Sequence, residues 1–169
     1  MIFDEIEQAN REYVASGTHA PHPVEPRRQL AIVTCMDSRI DAFASLGLML
    51  GDAHVLRTAG ARVTDDVLRS LTLSTHVLGT RTVLVLGHTR CGLYDPDGSI
   101  SRRLEELMGR PPFGNSWGTF TDPVEAIDHD CRRLLVWPDR PEGLRVGGYL
   151  LDVDDGSITQ VASPTVADA

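Results

Sequence analysis

The sequence lacks an excess of positive charge and any long hydrophobic run. Its 169 residues include 16 basic and 24 acidic side chains, which gives a formal net charge of −8 at pH 7. A general nucleic-acid-binding protein needs a basic face, and an anionic membrane surface also attracts basic residues. The longest apolar stretches are far too short to span a bilayer. We therefore expect neither nucleic acid nor a membrane as a partner.

Cysteine is scarce, and the first residues lack the features of a secretory signal. The chain has three cysteines, an odd and low number. Cytosolic cysteines are more often reduced, metal-binding or catalytic than bridged. Residues 1–10 are acidic and contain neither a basic region nor an apolar segment of signal-peptide type. These features lead us to expect a cytoplasmic protein.

The length of the chain suits one domain with a real hydrophobic core. We find no internal repeat and no linker strong enough to divide the sequence. We therefore predict a single domain over residues 1–169. Residues 1–28 would form an N-terminal helix, predicted over Ile2–Val14, and an arm, while residues 163–169 would form a loose tail.

Strand and helix patterns alternate along the chain. Apolar, β-branched runs predict buried strands, and helical spacing with capping residues predicts helices. This alternation is typical of an α/β fold with a mostly parallel central sheet flanked by helices. Asp154-Asp155-Gly156 is a good turn sequence and predicts a C-terminal hairpin. The predicted strands are Leu30–Met36, Val55–Thr58, Thr82–Gly87, 144–153 and 157–161, and the predicted helices are Arg39–Leu50, 64–79, Ile100–Met108 and one from near Asp122 or Asp128 to Val136.

Chemically reactive side chains follow two of the predicted strands. Cys35 lies at the end of the first strand, and His88 and Cys91 follow the third. If these strands are neighbours, the three side chains converge at the ligand-binding edge of an open sheet. Two thiolates and an imidazole favour zinc among the common cellular metals. Three protein ligands with one open position are the catalytic arrangement, in which zinc makes a bound water acidic enough to supply hydroxide.

Asp37 and Arg39 follow Cys35 at spacings of two residues, in the pattern Cys35-x-Asp37-x-Arg39. Asp37 could bind the metal and displace the water, which would inactivate the site. A guanidinium from Arg39, paired bidentately with Asp37, would hold the carboxylate away from the metal and ready to orient hydroxide. Two thiolates neutralise the charge of the ion, so we expect an activity that rises into the alkaline range.

Together these motifs resemble those of the β-class carbonic anhydrases, especially the short microbial members. The likeness extends roughly from residue 28 to residue 162. It implies reversible hydration of carbon dioxide to bicarbonate and a proton, with one zinc ion per subunit held by Cys35, His88 and Cys91. Asp37 and Arg39 would be the catalytic dyad. It also implies a homodimer or larger assembly, in which the N-terminal helix packs on a partner subunit. The residues that carry the resemblance are Cys35-x-Asp37-x-Arg39, Arg57-Thr58-Ala59-Gly60, Thr64-Asp65-Asp66 and His88-x-x-Cys91-Gly92.

Two positions depart from this pattern, and other functions are open. Thr58 stands where family members often have asparagine, and Arg90 where close short members often have an acidic residue. Arg90 could be solvated and neutral in effect, or it could bring positive charge near the metal. Carbon disulfide or carbonyl sulfide hydrolysis on the same fold is an alternative function. A non-catalytic zinc- and bicarbonate-binding protein is another, and a redox role for the Cys35–Cys91 pair is a third.

Overall fold

A computed structural model describes residues 1–113 and 117–166 of the chain. Four α-helices and five β-strands make up most of the described part, with two short 3-10 helices between them. The helices are α1 (Ile2–Ser16), α2 (Asp65–His76), α3 (Ile100–Met108) and α4 (Pro123–Leu135), the strands are β1 (Leu30–Cys35), β2 (Ala53–Thr58), β3 (Thr82–His88), β4 (Arg145–Leu151) and β5 (Ile158–Val166), and the 3-10 helices are Ala44–Leu46 and Ala59–Ala61.

The five strands form one sheet in the order β2-β1-β3-β4-β5. β1 pairs in parallel with β2 and β3, and β3 pairs in parallel with β4. β5 returns antiparallel to β4. The mostly parallel α/β fold and the C-terminal hairpin are therefore confirmed. Because β1 and β3 are parallel neighbours, their carboxyl ends lie side by side at the same edge of the sheet.

The core lies on both faces of the sheet. Successive side chains of a strand point to opposite faces, and Ala31, Ile32 and Val33 in β1 are all completely buried. Val33 packs in one apolar cluster with residues of α2 and α4, such as Leu71 and Leu134, whereas Ile32 belongs to the cluster on the other face. A strand that is buried on both faces has to be continuously apolar, as the sequence of β1 is.

Asp122 caps the N-terminus of helix α4, which settles the choice between the two predicted starts. The Asp122 carboxylate accepts hydrogen bonds from the backbone N–H groups of Val124 and Glu125 at 2.7 and 3.2 Å. Pro123 fits the first helical position, because the backbone N–H that proline lacks has no hydrogen-bond partner within a helix there.

No helix in the described part of the chain is long and apolar enough to cross a membrane.

The predicted helix over residues 39–50 is wrong. This segment is a series of turns that contains only the 3-10 helix Ala44–Leu46. The Asp41 carboxylate accepts hydrogen bonds from the N–H groups of Phe43 and Ala44, which fixes a local turn. Gly47 then adopts a left-handed conformation with φ 62° and ends the 3-10 helix after one turn.

The loose tail predicted over residues 163–169 is also wrong as far as Val166. β5 continues to that residue, and Val146 and Arg145 of β4 pair with Thr165 and Val166. Pro164 is tolerated because β5 is the edge strand of the sheet, where a missing N–H need not break a ladder. Residues 167–169 lie outside the described part.

Candidate metal centre

Three potential metal ligands meet where β1 and β3 end. Cys35 is the last residue of β1, His88 is the last residue of β3, and Cys91 lies in the turn that follows. One ligand atom from each residue lies within 4.8 Å of the others, and the two sulfur atoms are 4.0 Å apart. All three residues are buried. The sequence prediction that these side chains converge is confirmed.

The chemistry of this cluster fits a soft divalent cation. Cys35 and Cys91 are free thiols. The hydrogen bond with Cys91 lowers the pKa of Cys35 below its ordinary value. The same hydrogen bond, together with burial, raises the pKa of Cys91 above its ordinary value. Two thiols this close oppose each other's ionisation, and a cation between them would stabilise both as thiolates.

His88 gives independent support for a metal. His88 is only 2% exposed, yet neither of its ring nitrogens has a hydrogen-bond partner among the described residues. A buried polar atom without a partner is costly unless something else satisfies it. Nε2 lies 3.9 Å from an Asp37 carboxylate oxygen and therefore faces the cluster. A metal ion bound at Nε2 would satisfy that nitrogen.

Asp37 lies beside the three ligands and is gripped by Arg39. The guanidinium donates from Nε to Oδ1 at 2.9 Å and from Nη2 to Oδ2 at 2.7 Å, and the Arg39 backbone N–H donates to Oδ1 at 2.9 Å. The side-chain hydrogen bonds from Arg39 hold the pKa of Asp37 well below its usual range. Asp37 is therefore an ionised carboxylate near the cluster whose oxygens are engaged by Arg39.

The two positions that depart from the family pattern have definite contacts. The Thr58 hydroxyl donates to the carbonyl of Arg62 at 2.9 Å and so belongs to the 3-10 turn after β2. The Arg90 guanidinium forms an ion pair with Asp154. The carboxylate balances the charge of Arg90, which supports the first of the two alternatives for this residue.

An apolar groove of about 450 Å³ borders the cluster. Met36, next to Cys35 in the sequence, and Gly92, next to Cys91, are among its lining residues. No local sequence pattern predicts this groove, since its walls come from segments that are distant in sequence. The other lining residues are Ala59, Leu93, Ile100, Arg103, Leu104, Leu107 and Trp117.

A buried ion pair fastens α4 to the turn beside the cluster. Asp130 is 2% exposed and accepts two hydrogen bonds from the Arg62 guanidinium, at 2.7 and 3.0 Å. It also accepts the backbone N–H of Val63 at 3.1 Å. Nothing in the sequence links residues 68 positions apart, so this contact was not predicted.

The site combines two thiols and an imidazole at the strand ends of an α/β sheet with an arginine-bound carboxylate beside them. These features are typical of a zinc enzyme that activates water. A sequence profile described as carbonic anhydrase matches residues 30–106. β-Carbonic anhydrase 1 of Mycobacterium tuberculosis is 38% identical over 156 residues, which cover 90% of this chain and 94% of the relative. The chain belongs to the β-carbonic anhydrase family.

Two further comparisons bear on the fold and on the substrate. The crystal structure of a carbonic anhydrase from Streptococcus mutans superimposes with a TM-score of 0.88 at 40% identity, covering 95% of this chain and 98% of that one. A carbon disulfide hydrolase of Acidianus sp. strain A1-3 is 47% identical over 153 residues, which cover 75% of this chain and 74% of the relative.

Proposed function

We propose that this protein is a zinc-dependent carbonic anhydrase, which hydrates carbon dioxide reversibly to bicarbonate and a proton. The observation that carries the proposal is the buried convergence of Cys35, His88 and Cys91 beside the Asp37–Arg39 pair. In this proposal, the first three residues hold the zinc ion. When bound at such a site, zinc lowers the pKa of water so that hydroxide is supplied near neutral pH.

Asp37 would accept a hydrogen bond from the nucleophilic water or hydroxide and so orient it towards the substrate. This role requires an ionised carboxylate, which the hydrogen bonds from Arg39 favour. It also requires that Asp37 does not itself bind the metal. Arg39 opposes this, because its guanidinium holds both carboxylate oxygens in a planar fork.

The apolar groove offers the substrate an apolar surface near the ligand cluster. Carbon dioxide has no charge and no hydrogen-bond donor, so it partitions into apolar surroundings. The groove reaches Met36 and Gly92, which are neighbours in sequence of ligands Cys35 and Cys91. Charged bicarbonate leaves this apolar surface readily, since burial of an unpaired charge is unfavourable.

Carbon disulfide hydrolysis is the second candidate function. The Acidianus relative, which is named for that reaction, is 47% identical to this chain over the aligned region. Carbon disulfide is linear and apolar like carbon dioxide, and the same ligands and Asp37 would serve an attack on its carbon. The two substrates differ in size, so the apolar groove would decide between them.

A head-to-head assay separates the two functions. Zinc-loaded protein is given carbon dioxide in a stopped-flow experiment and carbon disulfide in a hydrogen sulfide release assay. We expect fast hydration of carbon dioxide and little release of hydrogen sulfide. The reverse result would assign the chain to the second function. Binding of bicarbonate without turnover of either substrate would show a non-catalytic protein.

We also propose that the chain forms a homodimer or a larger homo-oligomer through α1. None of the 15 residues of this helix is buried, and Ile2, Phe3 and Ile6 are 60%, 74% and 56% exposed. An isolated helix of this length is marginal in water, so its apolar side chains need a surface to pack against. A second copy of the chain would supply such a surface.

Two measurements test this assembly. Light scattering after size-exclusion chromatography should give at least twice the 18.5 kDa mass of one chain. Phe3→Glu should shift the mass towards the monomer, whereas Glu7→Gln, an exposed change on the same helix, should not. A monomeric wild-type protein would refute the proposal.

We further propose a cytoplasmic location, which the three free thiols support and cell fractionation would test.

A further inference from the structure

The backbone of Arg90 has an unusual conformation next to the metal centre. Its φ is 51°, in the left-handed region that side chains other than glycine rarely adopt. This conformation directs the Arg90 carbonyl to the guanidinium of Arg39, whose Nη2 donates to it at 3.1 Å. Arg39 is thus held on two sides, by the Asp37 carboxylate and by a backbone carbonyl from the turn after β3.

The turn end of the β4–β5 hairpin holds the turn after β3 in place. Thr89 N–H donates to the carbonyl of Leu151 at 2.9 Å, and the N–H of Val153 donates to the Thr89 hydroxyl at 3.1 Å. Asp154, on the hairpin turn, forms the ion pair with the Arg90 guanidinium. The hairpin therefore contacts the turn through its backbone at Thr89 and through a charge at Arg90.

We propose that Arg90 and Asp154 are positioning residues, which keep Arg39 in place and through it keep Asp37 off the metal. A left-handed conformation is unfavourable for arginine, so something must hold the backbone there. The Asp154 ion pair opposes relaxation of Arg90 to an ordinary conformation, which would move its carbonyl away from Arg39. This inference rests on the proposed function only for the role of Asp37 towards zinc.

The side chain of Arg90 reaches away from the ligand cluster towards the hairpin turn. It is 64% exposed and pairs with a carboxylate that is 53% exposed. An exposed pair of this kind contributes little to global stability, so its removal should leave the fold intact. Its effect on a single backbone conformation can still be measured locally, at the Arg39 guanidinium.

We call the Arg39 guanidinium held between the Asp37 carboxylate and the Arg90 carbonyl the clamp. Solvent exchange of the Arg39 Nε–H, followed by ¹⁵N NMR on the metal-free full chain, measures directly how firmly the clamp is held. We expect Arg90→Ala to speed this exchange about fivefold, because the lost anchor frees the carbonyl. Asp154→Asn should speed it about two- to fivefold, as removal of a surface ion pair allows. Arg90→Gly should stay near the wild-type rate, since glycine adopts the left-handed conformation without strain.

Asp155→Asn is the matched control. It removes the same charge from the same turn, but Asp155 bonds to the N–H of Ser157 and not to Arg90. Exchange in Asp154→Asn that is no faster than in Asp155→Asn would overturn the proposal. So would Arg90→Gly exchange as fast as that of Arg90→Ala, because the left-handed backbone would then play no part.

Crystals of the zinc-loaded variants give a second readout. Arg90→Ala should show the Asp37 carboxylate turned towards the ligand cluster, whereas Arg90→Gly should keep it on Arg39. An unmoved Asp37 in Arg90→Ala would contradict the proposal. The clamp and the proposed function can fail separately. A chain that hydrates no carbon dioxide but shows these exchange rates would refute the function and leave the clamp standing.

Discussion

Removal of the Arg39 guanidinium should raise the pH at which the enzyme becomes active. In Arg39→Ala, the backbone N–H still reaches Asp37, but the two guanidinium hydrogen bonds of 2.9 and 2.7 Å are lost. Asp37 is then free to turn to the metal, where it competes with water. The activity profile therefore shifts to higher pH, because more hydroxide is needed to displace the carboxylate.

The size of the shift follows from the lost contacts. Hydrogen bonds to charged groups are each worth about 1.5–3 kcal/mol. The Arg39 side chain is 46% exposed, so solvent screening reduces the pair to about 2 kcal/mol in total. That free energy favours metal binding by Asp37 by a factor of about 30. Each tenfold gain in metal binding by the Asp37 carboxylate has to be matched by a tenfold higher hydroxide concentration, which is one pH unit. The midpoint of the activity profile therefore rises by at most about 1.5 pH units.

Stopped-flow carbon dioxide hydration with a pH indicator, at equal zinc content, measures this midpoint. Arg39→Lys should shift the midpoint by less, because it keeps the charge but not the planar fork. Arg69→Ala is the control, since Arg69 forms a similar 2.9 Å pair with Asp66 on the surface of α2. An Arg39→Ala midpoint equal to that of wild type would refute the competition between Asp37 and water.

Four further predictions test individual residues. Asp37→Asn should keep zinc, as metal analysis would show, and lose most hydration activity; full activity would make the role of Asp37 wrong. Cys91→Ser should lose zinc on dialysis, and retention of a full equivalent would contradict the ligand assignment. Gly87→Ala would place a Cβ 2.7 Å from Ile127 Cδ1, so urea unfolding should show a loss of about 1–3 kcal/mol; Ile127→Val should restore part of it. Burial raises the pKa of Cys131 from 9.0 to about 12, so the unfolded state loses this proton first as the pH rises. The free energy of unfolding should then fall above about pH 9, by up to about 1.4 kcal/mol per unit from this thiol, and less steeply in Cys131→Ala.

The sequence predicted the parts of the site that depend on strand ends. Cys35 and His88 each close a continuously apolar strand, and such strands are buried and parallel. Neighbouring parallel strands open at one edge, so convergence of the ligands followed from two local patterns and one topological rule. The Asp37–Arg39 pair was predictable for a similar reason, because the two residues are close in sequence.

Contacts between distant segments were beyond the sequence patterns. The helix predicted over residues 39–50 has apolar residues at suitable spacing, but the Asp41 carboxylate and Gly47 favour turns over a regular helix. The ion pair of Arg90 with Asp154 joins a turn after β3 to a hairpin, and no spacing rule connects them. Such pairs depend on the final placement of the strands, which only the folded structure provides.

The most direct test of a zinc hydroxide oriented by Asp37 is the rate of carbon dioxide hydration by the zinc-loaded protein, with one zinc ion per chain verified, from neutral to alkaline pH. We expect fast turnover that rises with pH to a plateau. Turnover that is absent with zinc in place, or a rate that is the same at neutral and alkaline pH, would contradict it.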